Sequence, residues 1–314
     1  MGEITEKRED SMKKVDIHLH LTFDGQNDER HADGLAMKQY MEQHGVEHGV
    51  LMSCGEFENF MADEVNSSNI DCCALAQKYP ETFSWMCNLN PEYETDILYE
   101  RMLHYKNLGA VGVGEFFYNY WLDHPKILAV LAAAQRAELP VLFHMSPKEG
   151  FNYGISDDAG LPRLEQVLKQ YPDLIFIGHS QPFWYEIGGG MPSDLESRNS
   201  YPVGKVEPGG RLPELLDRYP NLYADLSANS AGNAIMRDPE FGYEFLEKYQ
   251  DRLMFGTDMV HTGMYFPLGD FLDEAVREKR ISSSAYCKIF RNNAVKILKL
   301  KIEPTQASEG CTVT

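Results

Sequence analysis

The chain has no run of about 20 apolar residues, the length that a membrane span needs, which excludes a membrane-spanning helix from its reading. Basic residues are few: 29 Lys+Arg stand against 48 Asp+Glu, for a net charge of −19. A surface of that sign repels polyanions, so nucleic acid and anionic membrane are poor partners. The six cysteines, Cys54, Cys72, Cys73, Cys87, Cys287 and Cys311, form no C-x-x-C pair. Scattered in this way and without an export signal, they read as free thiols of a reducing compartment. The opening MGEITEKREDSMKK is charged and has no apolar signal core, so the expected location is the cytoplasm, with residues 1–14 as a tail. No Gly-rich phosphate fingerprint follows the first strand, which argues against a doubly wound dinucleotide fold.

What is present is a regular alternation of short apolar runs and helical patterns. Strands are expected at Val15–Leu21, Val46–Ser53, Phe83–Asn90, Ala110–Phe116, Leu139–Met145, Leu174–His179, Asn221–Ser227 and Arg252–Asp258. Helices are expected over 34–44, 63–79, 93–108, 124–137, 161–171, 211–219, 238–249, 268–279 and 282–300. Eight strands each followed by a helix make a (β/α)8 barrel, and 314 residues suit one such domain. The barrel is expected over 15–300, with residues 301–314 as a second tail. One connection, 180–210, is long and rich in Gly, Pro and Ser; it reads as a lid hinged at Gly188-Gly189-Gly190, or as a contact between copies in a homo-oligomer.

In a barrel enzyme the chemistry collects where strands meet their following loops. Those positions here hold His18 and His20, Glu115, His144, His179 and Asp258. Alternation puts Val15, Ile17, Leu19 and Leu21 on one face of the first strand, with Asp16, His18 and His20 on the other. In the fourth strand it groups Val111, Val113 and Glu115. Two imidazoles at i and i+2 point the same way and can grip one ion. Imidazole and carboxylate together suit zinc first, and also manganese, iron or nickel.

The segments VDIHLH, VLFHMS, IGHS, FGTD and IFRNNAVKIL resemble the amidohydrolase superfamily. The likeness is to its amidohydrolase-related group, which includes aminocarboxymuconate-semialdehyde decarboxylase, resorcylate decarboxylases and small lactonases. The resemblance implies that His18, His20, His144 and Asp258 bind metal, that His179 is a ligand or touches substrate, and that Asp258 moves the proton of the attacking water. GVGEF is similar to the strand-four glutamate of TatD-type deoxyribonucleases. That leaves two arrangements open. In one, Glu115 bridges two ions, with His18, His20 and Asp258 on one and His144 and His179 on the other. In the other, a single ion is bound, Glu115 acts from outside its ligands and His179 is catalytic.

Substrate contacts are expected from the loops beyond the strands: Phe117, Tyr118, Asn119 and Trp121; Gln181, Phe183, Trp184 and Tyr185; and His261. Arg163 and Arg211 are candidates for a substrate carboxylate, whereas His44, His104 and His124 read as surface or packing residues. The favoured function is hydrolysis of a C–O or C–N bond in a small molecule. A nonoxidative decarboxylase is the runner-up; a phosphoesterase or TatD-like nuclease, which the net charge and the lack of a basic stripe oppose, and a catalytically silent metal-binding or structural barrel are further alternatives.

Overall fold

The computed structural model describes residues 13–23, 33–56, 59–61 and 64–304. Most of both expected tails, Cys311 and nearly all of the polar loop from Asp24 to Asp33 lie outside the described residues. Eight parallel strands follow one another around a ring: β1 (Lys14–His20), β2 (Val46–Met52), β3 (Phe83–Cys87), β4 (Ala110–Phe116), β5 (Val141–Ser146), β6 (Phe176–His179), β7 (Leu222–Leu226) and β8 (Leu253–Phe255). The ring closes where the Asp258 N–H donates to the His18 carbonyl at 2.8 Å and the His20 N–H to the Met259 carbonyl at 2.9 Å. A helix follows every strand, so the architecture is the expected (β/α)8 barrel. Among the described residues no helix is long and apolar enough to cross a membrane.

Val15, Ile17, Val50, Met86, Leu142, Ile177 and Met254 fill the inside of the barrel and meet Leu298 and Leu300. A larger apolar layer, including Leu19, Phe116, Phe143, Leu164 and Phe245, lies between barrel and helices. Two strands break the expected alternation. In β1, Val15 and Ile17 face inward but Leu19 and Leu21 pack outward. The pairing with β2 shifts register between Asp16 and Leu19. Such a shift moves every later side chain to the other face, and here it turns His18 and His20 toward the barrel axis. In β4, Val113 belongs to the outer layer, while Gly112 and Gly114 lie against Met86 and Leu142 of the inner one. The register shift between Val113 and Phe116 then returns Glu115 to the inside.

Other expectations are corrected locally. The helix expected from residue 63 begins at Asn69, because Ser68 and Asp71 cap each other there and Glu64–Asn66 forms a strand of a small antiparallel sheet. A helix at Ala228–Met236 was not expected; ANSAGNAIM has few large apolar residues and is held by packing of Ala231, Ala234 and Ile235. The single helix expected over 282–300 contains a π-helical segment, Lys288–Asn292, which carries Arg291 to Glu47 at 2.8 Å. Cys54, Cys72, Cys73 and Cys87 are free, but Cys287 is disulfide-bonded. Spacing along the chain cannot reveal such a bond, which depends on Cα proximity in the fold.

The long 180–210 connection holds short helices at Gln181–Tyr185 and Leu195–Arg198. Its base is tied by Gly189 N–H to Glu207 C=O and by Leu212 N–H to Glu186 C=O, each at 2.8 Å. A side chain at Gly189 would meet the Pro208 carbonyl at 2.1 Å, so this glycine is where two arms cross rather than a free hinge. At Gly210 a Cβ would fall 2.0 Å from the Ile187 carbonyl oxygen, and backbone cannot swing aside as a side chain can. Gly210→Ala should therefore lower stability by about 1–3 kcal/mol, read as a reduced urea midpoint at unchanged slope.

Candidate metal centre

The structure brings His18, His20, Glu115, His144, His179 and Asp258 together at the C-terminal ends of β1, β4, β5, β6 and β8. Pairing in β5 and β6 sets His179 directly opposite His144, so their rings lie side by side. The backbone bends sharply beyond two of the strands: Ser180 has φ 86° and Asp258 φ 60°. Left-handed conformations at non-glycine residues cost energy and collect at functional sites. At Asp258 the bend turns the carboxylate back toward β1.

His18 Nε2 and His20 Nε2 are 3.1 Å apart, and Asp258 Oδ1 lies 3.3 Å from the first and 3.1 Å from the second. Glu115 sits in the middle. Its Oε2 is 3.7 Å from His18 Nε2 and 3.5 Å from His20 Nε2. Its Oε1 is 2.7 Å from His144 Nδ1 and 3.8 Å from His179 Nε2. Asp258 Oδ2 is 3.5 Å from His179 Nε2. Three overlapping triads have ligand atoms within 4.8 Å of one another: His18, His20 and Glu115; His18, His179 and Asp258; Glu115, His144 and His179.

Behind the imidazoles stands Asp225 of β7, fully buried, a residue that the sequence reading missed. Its Oδ2 is 2.6 Å from His18 Nδ1 and 3.2 Å from His179 Nδ1. Ser227 Oγ donates to the same oxygen at 2.7 Å and lies 2.9 Å from His179 Nδ1. A carboxylate behind a ligating histidine fixes its tautomer and its orientation. A proton kept on Nδ1 of His18 leaves the Nε2 lone pair facing a second imidazole and two carboxylates. That convergence of acceptors is what a cation resolves, so the donor set fits a borderline divalent ion. Gly256 makes the approach possible, since a Cβ there would lie 2.8 Å from Asp225 Oδ1 and 3.0 Å from His18 Cβ. The one available signal for Asp225 was an acidic residue within the apolar run NLYADLS. Asn88, also missed, braces Glu115 by donating to its carbonyl at 2.6 Å.

The charges agree with this geometry. Burial alone would depress His18, but the Asp258 and Asp225 carboxylates hold it well above the usual imidazole range. His179 is pushed up to about 9 against burial by Asp225 and Asp258. Burial keeps His144 low despite Glu115 beside it. Burial also opposes ionisation of Glu115, yet its interactions with His144 and His18, hydrogen bonds among them, hold its carboxyl well below the usual range. Asp258 is lowered in the same way by His18, His179 and His20. A pocket that holds protons on imidazoles by surrounding carboxylates attracts a metal cation in their place, and such exchange weakens in acid.

The remaining candidates divide. Tyr118 stacks on Phe117 with ring centroids 5.6 Å apart. Tyr153, not foreseen, lies against His144 at 4.3 Å. Gln181 donates to the Tyr201 hydroxyl at 3.0 Å. Asn119 is spent on loop structure, donating to Gly154 C=O at 2.8 Å. Trp184 is corrected: it is buried, and its indole N–H donates to the Asp225 carbonyl at 3.1 Å, so it supports β7 instead of facing the mouth. Phe183 and Tyr185 are likewise buried. His261 is half-buried and accepts from Gly263 N–H at 3.2 Å, outside the cluster. Arg163 is engaged by Asp123 and Asp158, and Arg211 by Glu165 and Glu214. His124 caps the helix Pro125–Ala137.

Asp225→Asn should weaken metal affinity by about 10–100-fold with the barrel intact, as measured by chelator competition and far-UV circular dichroism. Unchanged affinity would remove Asp225 from this role.

The sequence profile of the family described as Amidohydrolase matches residues 15–300. No curated protein matches the chain. Among solved structures, a TIM-barrel protein from Bordetella bronchiseptica aligns at TM-score 0.60 and 18% identity, over 92% of this chain and 99% of that one. A probable 2-pyrone-4,6-dicarboxylic acid hydrolase from Acinetobacter baumannii aligns at TM-score 0.55 and 15% identity, covering 92% and 100%. A 5-carboxyvanillate decarboxylase from Novosphingobium aromaticivorans, with bound manganese, aligns at 0.53 and 18%, covering 84% and 80%. At these identities the likeness is one of fold.

Proposed function

The chain belongs to the amidohydrolase family, and from that premise we propose that it is a metal-dependent hydrolase cleaving a C–O or C–N bond, as in an ester, lactone or amide, of a small organic molecule. The observation that carries this reading is the two-sided placement of Glu115. One carboxylate oxygen faces His18 and His20, and the other faces His144 and His179. This supports the two-ion arrangement. His18, His20 and Asp258 would hold one ion, His144 and His179 the other, with Glu115 between them. Zinc is the first candidate, with manganese, iron and nickel as alternatives. When bound, such ions supply Lewis acidity toward a substrate oxygen and lower the pKa of water.

The protein's own groups then handle the proton. Asp258, its pKa lowered, is a carboxylate at neutral pH and can accept a proton from the attacking water and deliver it to the leaving group. It is also the most exposed of the six, at 24% of its side chain, which puts it on the substrate side. Asp225 and Ser227 keep His18 and His179 aligned throughout. Phe117, Tyr118 and Tyr153 form an aromatic wall beside the cluster, suited to a compact ring-bearing substrate.

The same wall favours a second reading, nonoxidative decarboxylation of an aromatic or unsaturated carboxylate, the chemistry named for the structurally similar manganese-bound protein. A panel of lactones, esters, amides and aromatic carboxylates separates the two. Turnover of the first three classes without carbon dioxide release supports hydrolysis; carbon dioxide from the last class replaces it with the lyase. On the active substrate, Asp258→Asn should cost roughly 10²–10⁴-fold in kcat with the fold unchanged, and retained turnover would overturn the proton role. Elemental analysis should find two ions per chain, falling to one or none in Glu115→Gln; a single ion in the unaltered protein would leave the one-ion arrangement.

A further inference from the structure

We propose that a cleft at the opposite, N-terminal end of the barrel binds a small apolar monocarboxylic acid. It is formed where β2, β3 and β4 begin and Lys299, Leu300 and Lys301 cross them, and it encloses about 240 Å³. Ala76, Phe83, Trp85, Leu108, Val111 and Leu300 make its walls. Leu108 stays 40% exposed at the edge. Clefts of about 300–1,000 Å³ take drug-sized ligands, so this one takes a single ring or a short chain.

Two independent features point to a carboxylate. The first is an unspent donor. Trp85 is only 1% exposed, and its indole N–H has no hydrogen-bond partner among the described residues. The N–H lies 3.8 Å from where a Gly109 Cβ would stand, and Gly109 is itself part of the wall. The polar neighbours are already engaged: His48 Nε2 is 2.9 Å from Ser84 Oγ, and His48 Nδ1 is 3.1 Å from the Glu81 carbonyl. Buried donors are almost always paired, so this N–H marks a place for an acceptor brought from outside.

The second feature is charge. Lys299 and Lys301 both border the cleft. The Glu138 carboxylate lies 3.7 Å from Lys299 Nζ and 4.0 Å from Lys106 Nζ, so one anion is shared between two cations and Lys301 adds a third. In a chain of net charge −19 the lysines gather on one rim of the cleft, while Glu47 and Glu81 stand on the His48 side. An apolar body against the walls, an oxygen on the Trp85 N–H and a negative charge beside the lysines describe one ligand class. None of this depends on the chemistry at the other end of the barrel.

The chain has three tryptophans, so its ¹H–¹⁵N spectrum holds three indole signals, and Trp85→Phe assigns one of them. Hexanoate titrated into the full metal-loaded protein should move the Trp85 signal downfield, saturably, and leave the other two in place. Hexanol should bind at least tenfold more weakly. The double variant Lys299→Glu/Lys301→Glu, changed only at exposed positions, should weaken hexanoate by a similar factor, and Ala76→Phe should abolish the shift by filling the cleft. A Trp85 signal indifferent to millimolar hexanoate overturns the proposal. So does a shift of equal affinity for hexanol, or one that survives charge reversal of both lysines.

Discussion

Everything at the catalytic end of this barrel leans on one buried carboxylate. Asp225 reaches His18 and His179 through the same oxygen, and Ser227 donates to that oxygen as well. Two imidazoles, one from β6 beside β7 and one from β1 beyond β8 on its other side around the ring, are thereby held with their Nε2 atoms facing inward. Without that hold, each ring would keep the freedom of its side-chain torsions, and the convergence on Glu115 and Asp258 would be lost. The close seat of Gly256 against Asp225 and His18 shows how little space the arrangement leaves. A shared buried anion is costly unless fully compensated, and here the compensation is the positive charge that it helps to gather.

Much of this was legible in the sequence, though not always for the reason first given. The strand-end positions of His144 and His179 follow from simple alternation, which holds in those strands, whereas Asp258 lies beyond β8 and is turned toward β1 by its left-handed bend. His18, His20 and Glu115 reach the same place by a different route. In β1 and β4 the pleat changes phase, so the apolar residues preceding these side chains lie on the inner face in one case and the outer in the other. Hydrophobic pattern alone cannot show a register shift, because the shift is set by pairing with the neighbouring strand. Asp225 was hidden for a related reason. A lone acid in an apolar strand looks like any buried polar residue until His18, more than 200 positions away along the chain, and His179 of the neighbouring strand are brought beside it.

The helices illustrate the same division. Pro125–Ala137, with a dense apolar stripe, is plain in the sequence to within a residue. Ala228–Met236 is not, since its small side chains carry almost no periodic signal and its stability comes from close contact with the barrel and the neighbouring helix. Trp184 carries a similar lesson at the level of function. An aromatic residue just past a catalytic strand invites a role in substrate binding, but burial behind Asp225 makes it a support for the machinery.

Asp258 has a further consequence through its position. It alone among the six has a quarter of its side chain open, while the others are walled in by β7, by the bases of the loops and by each other. The cluster therefore has a front and a back, and a reactant meets it from the front only. The ring wall of Phe117, Tyr118 and Tyr153 stands to one side of that approach, and Asp258 stands on the β8 side. An entrance with two unlike flanks is directional: an incoming molecule is turned with its apolar face toward the rings and its hydrogen-bonding groups toward Asp258.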